Sequence, residues 1–238
     1  MSHATKTRYP EYRPARLPWL TEIPTHWEEK RLRFALTLGP SRRELDRLPA
    51  EAPVSFVPME AVGEFGAIDL SQEREVGEIG AGYTYFANGD VVIAKITPCF
   101  ENGKGAVGSG LTNGAALGTT ELHVLRPHAE LDRQFLYYLT ASDRFRKTGA
   151  AMMYGAGGQK RVPEEFIKDY FAAFPPIDEQ RAIAAFLDRE TAKIDALIEK
   201  KRQVIASLVD RRETIISHAI AVKADTAYVR LKFWVFAF

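Results

Sequence analysis

The amino-acid sequence predicts an α+β domain followed by one long α-helix. Three observations lead there. Residues 53–127 carry short β-branched and aromatic runs separated by glycine-bearing turns. Residues 131–148 switch to helical spacing, with Phe135, Leu136, Leu139 and Phe145 falling on one face. From Ile177 to Ala221 neither Gly nor Pro interrupts the chain, far beyond the length of an ordinary globular helix.

In chain order, residues 1–26 are rich in Pro, Arg and Tyr without apolar periodicity and predict an extended arm lying on a surface. Trp19, Ile23, Trp27, Leu32 and Phe34 follow as core anchors, with a short strand at Lys30–Ala35. Residues 39–52 are charged and punctuated by proline, a loop or a short exposed helix. Val54, Phe56 and Val57 predict a strand, and Gly63 and Gly66 predict a turn or bulge within Glu60–Ile68. Asn88-Gly89-Asp90 is a turn signal before Val91–Ile96, whose continuous apolar character predicts a buried strand. Thr120–Leu125 predicts another strand, closed by Pro127. A glycine-rich loop at Gly149–Gln159 leads to a short helix at Pro163–Lys168 and a strand at Tyr170–Phe174.

The long helix begins after Pro175-Pro176, with Asp178 expected as its cap and Glu179 complementing the positive end of the helix dipole. At 1.5 Å rise per residue it would reach roughly 65 Å. Leu187, Ile194, Leu208 and Ile215 repeat every seven residues, and Ile198 and Ile205 lie on the companion series. Glu190, Lys200, Arg202 and Asp210 lie off this seam, whereas Lys201 and Arg212 interrupt it. A stripe of this kind seeks a second helix. Beyond the helix, Arg230-Leu231-Lys232-Phe233 repeats Arg31-Leu32-Arg33-Phe34. The expected division is therefore 1–176 for the domain, 177–222 for the helix and 223–238 for the truncated start of a second repeat.

Composition narrows the class. The chain is 46% hydrophobic and 26% charged with net charge +1, a globular profile that neither demands nor excludes nucleic acid. Basic residues exceed acidic ones before residue 50 and after 177, so a local basic face is compatible with the neutral total. A single cysteine, Cys99, excludes an internal disulfide and fits a reducing compartment. No apolar run approaches a membrane span and the polar start is not a secretory signal, so the expected location is cytoplasmic.

No catalytic constellation is legible. Gly103-Lys104-Gly105 and Gly155-Ala156-Gly157-Gly158 lack phosphate-loop spacing. Cys99 with His123 or His128 has no orienting third group, and the five histidines show no metal-ligand spacing. Binding chemistry is better represented. Lys95, Thr97, Asn102 and Lys104 sit where the buried strand runs into a glycine-rich loop, and Tyr154, Gly157, Gly158, Gln159, Lys160 and Arg161 form a second such loop. Glycines let backbone approach phosphate closely, and Lys and Arg supply salt-dependent phosphate contacts. Asn102 and Gln159 carry the donor–acceptor pair that reads adenine, and Arg161 the fork that reads guanine.

With these segments in place, the chain resembles the specificity (S) subunits of type I restriction–modification systems. The resemblance rests on WLTEIPTHWEEKRLRF at the entry, NGDVVIAKITP and GTTELHVLRP inside the domain, and FPPIDEQRAIAAFLDRETAKIDALIEKK opening the helix. It implies a target-recognition domain whose long helix pairs antiparallel with another as a coiled-coil-like spacer. It also implies a non-catalytic subunit that reads double-stranded DNA. Methylase (M) subunits binding S-adenosylmethionine would then methylate, a restriction (R) subunit would cleave, and this chain itself would hold no cofactor. The family's usual two domains and two helices are here one of each, which resembles a half-sized subunit and implies a homodimer on an interrupted palindrome. Half-site centres would lie about one DNA turn, ~34–36 Å, apart. The competing reading is a protein-only oligomeric scaffold.

Overall fold

In the computed structural model, the described residues are 9–235, leaving out Ala81 and Gly157, with side chains described as far as Ile220. The chain packs as two units, Met1–Ala184 and Ala185–Phe238.

The first unit opens with the short hairpin of β1 (Tyr12–Pro14) and β2 (Glu22–Pro24). Next come β3 (Glu28–Arg31), a 3₁₀ turn at Leu32–Phe34 and β4 (Leu36–Leu38). The strand expected at Lys30–Ala35 is thus broken at Leu32, whose fully buried side chain enters the core from the turn. After a 3₁₀ helix at Arg42–Arg47 the chain runs through β5 (Pro53–Val57), β6 (Glu73–Glu75) and β7 (Thr84–Ala87). Then follow β8 (Val91–Ala94), β9 (Gly105–Val107), β10 (Ala115–Gly118) and β11 (Leu122–Pro127).

These strands make two four-stranded sheets, β6-β5-β10-β7 and β4-β11-β8-β9. All pairings are antiparallel except β5 with β10. Alternation of side chains across each strand sorts the core into layers. Ala116 of β10, Val92 of β8 and Val124 of β11 face one another between the sheets with Val57 and Phe86. Ala115 and Leu117, on the opposite face of β10, pack with Val54, Phe56 and Leu45 under the Arg42–Arg47 turn. Val91 and Ile93 face outward from the second sheet onto helices.

Those helices are α1 (Arg133–Ala141), α2 (Asp143–Ala151) and α3 (Glu164–Asp169), followed by β12 (Phe171–Phe174), which pairs with β3. The single helical segment expected over 131–148 is two helices. Ser142 divides them with an extended backbone, ψ 144°: its hydroxyl donates to the Leu139 carbonyl at 2.7 Å and accepts the Phe145 N–H. One residue thereby closes one helix and caps the next. Asp132 caps α1 by accepting from the N–H groups of Gln134 and Phe135, each at 2.9 Å.

The last element is α4 (Ile177–Val235), 59 residues long, or about 88 Å at 1.5 Å per residue. Asp178 does not cap it: it lies inside the first turn, where its carboxylate takes the Arg181 guanidinium at 3.3 Å. The helix continues past residue 222, so Arg230–Phe233 lies on helical backbone whereas Arg31–Phe34 spans the end of a strand and a 3₁₀ turn. Phe236–Phe238 of the expected second repeat lie outside the described residues. Along the second unit, Ile194, Ile198, Ile205, Leu208 and Ile215 of the stripe are exposed, and Leu187 is half-buried.

The root of α4 is fastened within the first unit. Gln180, 1% exposed, spends its side-chain amide on the Pro175 and Glu130 carbonyls and on the Asp132 N–H. Glu179 accepts from the Tyr9 hydroxyl, the Trp27 indole N–H and the His26 ring. The N-terminal arm, expected to lie on a surface, is tied in by these contacts and by Arg13, which donates to Glu29 and to the Trp27 carbonyl.

Candidate nucleic-acid interface

The two glycine-rich loops meet at one end of β8. The buried run Val91–Ala94 delivers Lys95 to the sheet rim, where its N–H donates to the Glu121 carbonyl and its own carbonyl accepts from the Val162 N–H at 2.8 Å. Ile96 forms an antiparallel bridge with Arg161, and the Thr97 N–H donates to the Lys160 carbonyl at 3.0 Å. Tyr154 and Arg161 exchange both backbone hydrogen bonds, at 3.2 and 2.9 Å, so the glycine-rich segment closes into a hairpin. Gly158, at φ +77°, supplies the left-handed residue in that turn. Positions as far apart in sequence as Ile96 and Arg161 are thereby joined: Lys95, Thr97, Tyr154, Lys160 and Arg161 share one rim. Gln159 and Lys160 are exposed, and Tyr154 is 67% exposed at the hairpin's base. Gly157 lies outside the described residues.

Not every expected side chain is free for a ligand. Lys104 folds back, donating to the Met59 carbonyl at 3.0 Å. Asn102, on the neighbouring turn, donates to Glu64 at 3.2 Å, and the Thr97 hydroxyl donates to Glu101. Arg161 gives Nε to one Glu121 oxygen at 2.9 Å and an Nη to the other at 2.8 Å. The hydrogen bonds from Arg161 hold the Glu121 carboxyl below its ordinary range despite partial burial.

Two participants, Glu121 and His123, escaped sequence reasoning. Glu121, just before β11, takes the Arg161 guanidinium, and nothing in the sequence marks it as that partner. His123 is buried, with Nε2 at 2.9 Å from the Val162 carbonyl, and burial pushes its pKa down, so the neutral ring buttresses the hairpin strand. It is engaged there rather than with Cys99, while His128 meets Thr37 at 3.1 Å. Phe65 is 87% exposed on a turn closed by the Gly63 N–H to Ala67 carbonyl bond. Glycines on both sides of that turn were the one available signal.

The rim gathers cations, an amide and an aromatic ring at one sheet edge. Among the described residues, no group of three or more His, Cys, Asp or Glu side chains could hold a metal ion. Among the same residues, no helix is long and apolar enough to cross a membrane.

Residues 75–207 match the family model for the type I restriction modification DNA specificity domain. The chain is 37% identical over 212 residues to the type I restriction enzyme EcoAI specificity subunit of Escherichia coli, covering 87% of this chain and 34% of that protein. It is 36% identical over 207 residues to the EcoEI specificity subunit of the same organism, covering 86% and 34%. The chain therefore spans about a third of the length of these two relatives. Among solved structures, the HsdS subunit from Thermoanaerobacter tengcongensis has the same fold, with a TM-score of 0.56 and 22% identity over 76% of this chain and 44% of that one. A chain from a structure of type I R-M complex assembly and conformational transition gives a TM-score of 0.55 at 21% identity, over 78% and 43%. With its family model covering more than half its residues, the chain belongs to the type I restriction–modification DNA specificity family.

Proposed function

We propose that this chain is the non-catalytic DNA-recognition component of a type I restriction–modification system. Its head reads one half of a bipartite double-stranded DNA site through the rim where the two glycine-rich loops meet. Its long helix pairs antiparallel with that of a second copy through the Leu187, Ile194, Ile198, Ile205, Leu208 and Ile215 stripe. A two-fold pair presents two identical heads, which matches an interrupted palindrome. Methylase (M) and restriction (R) subunits, positioned by this pair, carry out methylation with S-adenosylmethionine and cleavage. The work is done in the cytoplasm, where the DNA is.

The observation that carries the reading is the union of Lys95, Tyr154, Gln159 and Lys160 on one sheet rim through the Ile96–Arg161 bridge. Glycine turns, cations and one exposed ring are what phosphate contact and base readout need. Family membership supports the same reading. Fluorescence anisotropy tests it, using the tagged chain purified from its own cells with whatever it binds. Affinity for duplexes should fall log-linearly with salt, with a slope near 0.9 per phosphate neutralised. Salt-insensitive binding, or none, would leave the protein-only scaffold standing in its place.

A further inference from the structure

The Glu121–Arg161 pair does more than close a surface ion pair. A guanidinium has five N–H donors in one plane and two edges that can grip a pair of acceptors. Glu121 occupies one of these edges, taking Nε at 2.9 Å and an Nη at 2.8 Å. Two donors on the remaining Nη and one on the shared Nη stay uncommitted, and one from each Nη, side by side, makes the end-on fork. Planarity turns that fork away from the carboxylate.

Both partners are held from below. Arg161 backbone is bridged to Tyr154 on one side and Ile96 on the other. Glu121 is fixed at the mouth of β11 by its N–H donating to the Thr119 hydroxyl at 3.2 Å and its carbonyl accepting from Lys95 at 2.9 Å. The Arg161 side chain nevertheless remains 42% exposed and that of Glu121 23% exposed, so the fork is accessible while its root is not free to wander. An arginine aimed at phosphate gains less from such orientation, because phosphate oxygens accept one or two donors over a wide range of directions. One aimed at a base edge gains a great deal, because the guanine O6 and N7 accept only a fork in the base plane.

We propose that Glu121 is a positioning residue that holds Arg161 with its end-on fork presented to a guanine in the major groove. This rests on the DNA-reading function above and names the base that one residue of the rim selects. Glu121 sets specificity without touching DNA: it fixes the plane in which Arg161 donates, and its charge removes Arg161 from the pool of general phosphate contacts.

The test is sequence selection from a library of random duplexes by the tagged full chain, purified from its own cells with its bound partners. Wild type should enrich a motif containing one guanine per half-site that depends on Arg161. Arg161→Ala should lose preference at that position alone, by roughly ten-fold or more. Arg161→Lys keeps the charge without the fork, so it should lose the same preference while retaining affinity for unrelated duplexes. Glu121→Ala should loosen that position in the same direction, and adding it to Arg161→Ala should change nothing further. Placing 7-deazaguanine there should weaken wild type but not Arg161→Ala, since only N7 is removed. Uniform weakening on all sequences by Arg161→Ala would make Arg161 a phosphate contact and overturn the proposal. An unchanged motif in Arg161→Ala, with circular dichroism showing the variant folded, would reduce the pair to a surface ion pair. Should wild type enrich no motif and bind no DNA, the recognition function itself falls and this inference with it.

Discussion

The side-chain carbonyl of Gln180, in the first turn of α4, accepts the backbone N–H of Asp132 at 2.9 Å, across 48 residues of sequence. The same side chain donates to the Glu130 and Pro175 carbonyls at 2.9 and 2.8 Å, so one buried amide is fully used and three backbone groups are satisfied by it. Asp132 in turn caps α1. The root of the long helix and the start of the first head helix are therefore one hydrogen-bonded unit, and a polar residue is buried because every bond it needs is made.

Replacing Gln180 by Leu keeps the volume and removes all three bonds. Each buried backbone group left unpaired costs about 1–3 kcal/mol, and relaxation to water recovers part, so a loss on the order of 2–4 kcal/mol is expected. Urea unfolding followed by tryptophan fluorescence measures it, since Trp19 and Trp27 belong to the same unit. A midpoint unmoved by Gln180→Leu would mean that the helix root is held by apolar packing alone.

Glu179, one residue earlier, predicts a pH dependence. Burial pushes its carboxyl up, but hydrogen bonds from Tyr9, His26 and Trp27 together outweigh burial and hold it below the ordinary value. A carboxylate held low in the folded state adds stability above its unfolded pKa of about 4.3, and that contribution disappears as pH falls through the folded value. Glu179→Gln should therefore lower stability at neutral pH and flatten the decline of the urea midpoint below pH ~4.5. At the alkaline end, burial and then Glu179 push Tyr9 up to about 12. That favours the protonated phenol, so its contribution is lost as pH rises from its unfolded value toward 12. Parallel midpoint curves for wild type and Glu179→Gln over the acid range would show that the hub carries no linked proton.

Gly149 sets two effects against each other. It lies inside α2, where Ala in place of Gly ordinarily gains about 0.5–1 kcal/mol. A Cβ at this position would stand 2.5 Å from Phe100 Cζ and 2.8 Å from Phe166 Cε1. Those rings are themselves packed on Phe145, with centroids at 6.3 and 5.0 Å, and Phe166 also meets Tyr170, so they have little room to retreat. Overpacking of this kind costs about 1–3 kcal/mol, and it should win. Gly149→Ala is expected to destabilise by about 1–2 kcal/mol in chemical denaturation, on the same scale. A rise in stability would show that the aromatic cluster yields.

How much of this was legible depended on the range over which the cause acts. The buried strand Val91–Ala94 and the long helix were written locally, in an unbroken β-branched run and in the absence of Gly and Pro. Ser142 was not, because a serine within a helical period fits an exposed position as well as a double cap, and only its extended ψ decides. The fate of Lys104 was hidden for a different reason: a long flexible cation reaches either solvent or the Met59 carbonyl, 45 residues away. Glu121 and Arg161 meet only after β11 has taken its register on β8 and the Tyr154–Arg161 hairpin has closed on Ile96. Their spacing of 40 residues carries no trace of it.

The exposed seam of α4 yields the test of the proposed pairing. Ile198 and Ile205 are 42% and 62% exposed, one helical heptad apart, and each gains about 1.5–3 kcal/mol when fully buried against a partner. A charged group at the same position must instead be stripped of water without a counter-charge, which reverses the sign of its contribution. Ile198→Glu with Ile205→Glu should therefore turn a dimer into a monomer in sedimentation velocity, while the head, which these positions do not help to build, keeps its near-ultraviolet dichroism. Asp210→Lys, on the face away from the seam, should leave the mass unchanged and so separates loss of the seam from a general charge effect. A wild type that sediments as a monomer across micromolar concentrations, or a doubly substituted chain that stays dimeric, would mean that the stripe is not where copies meet.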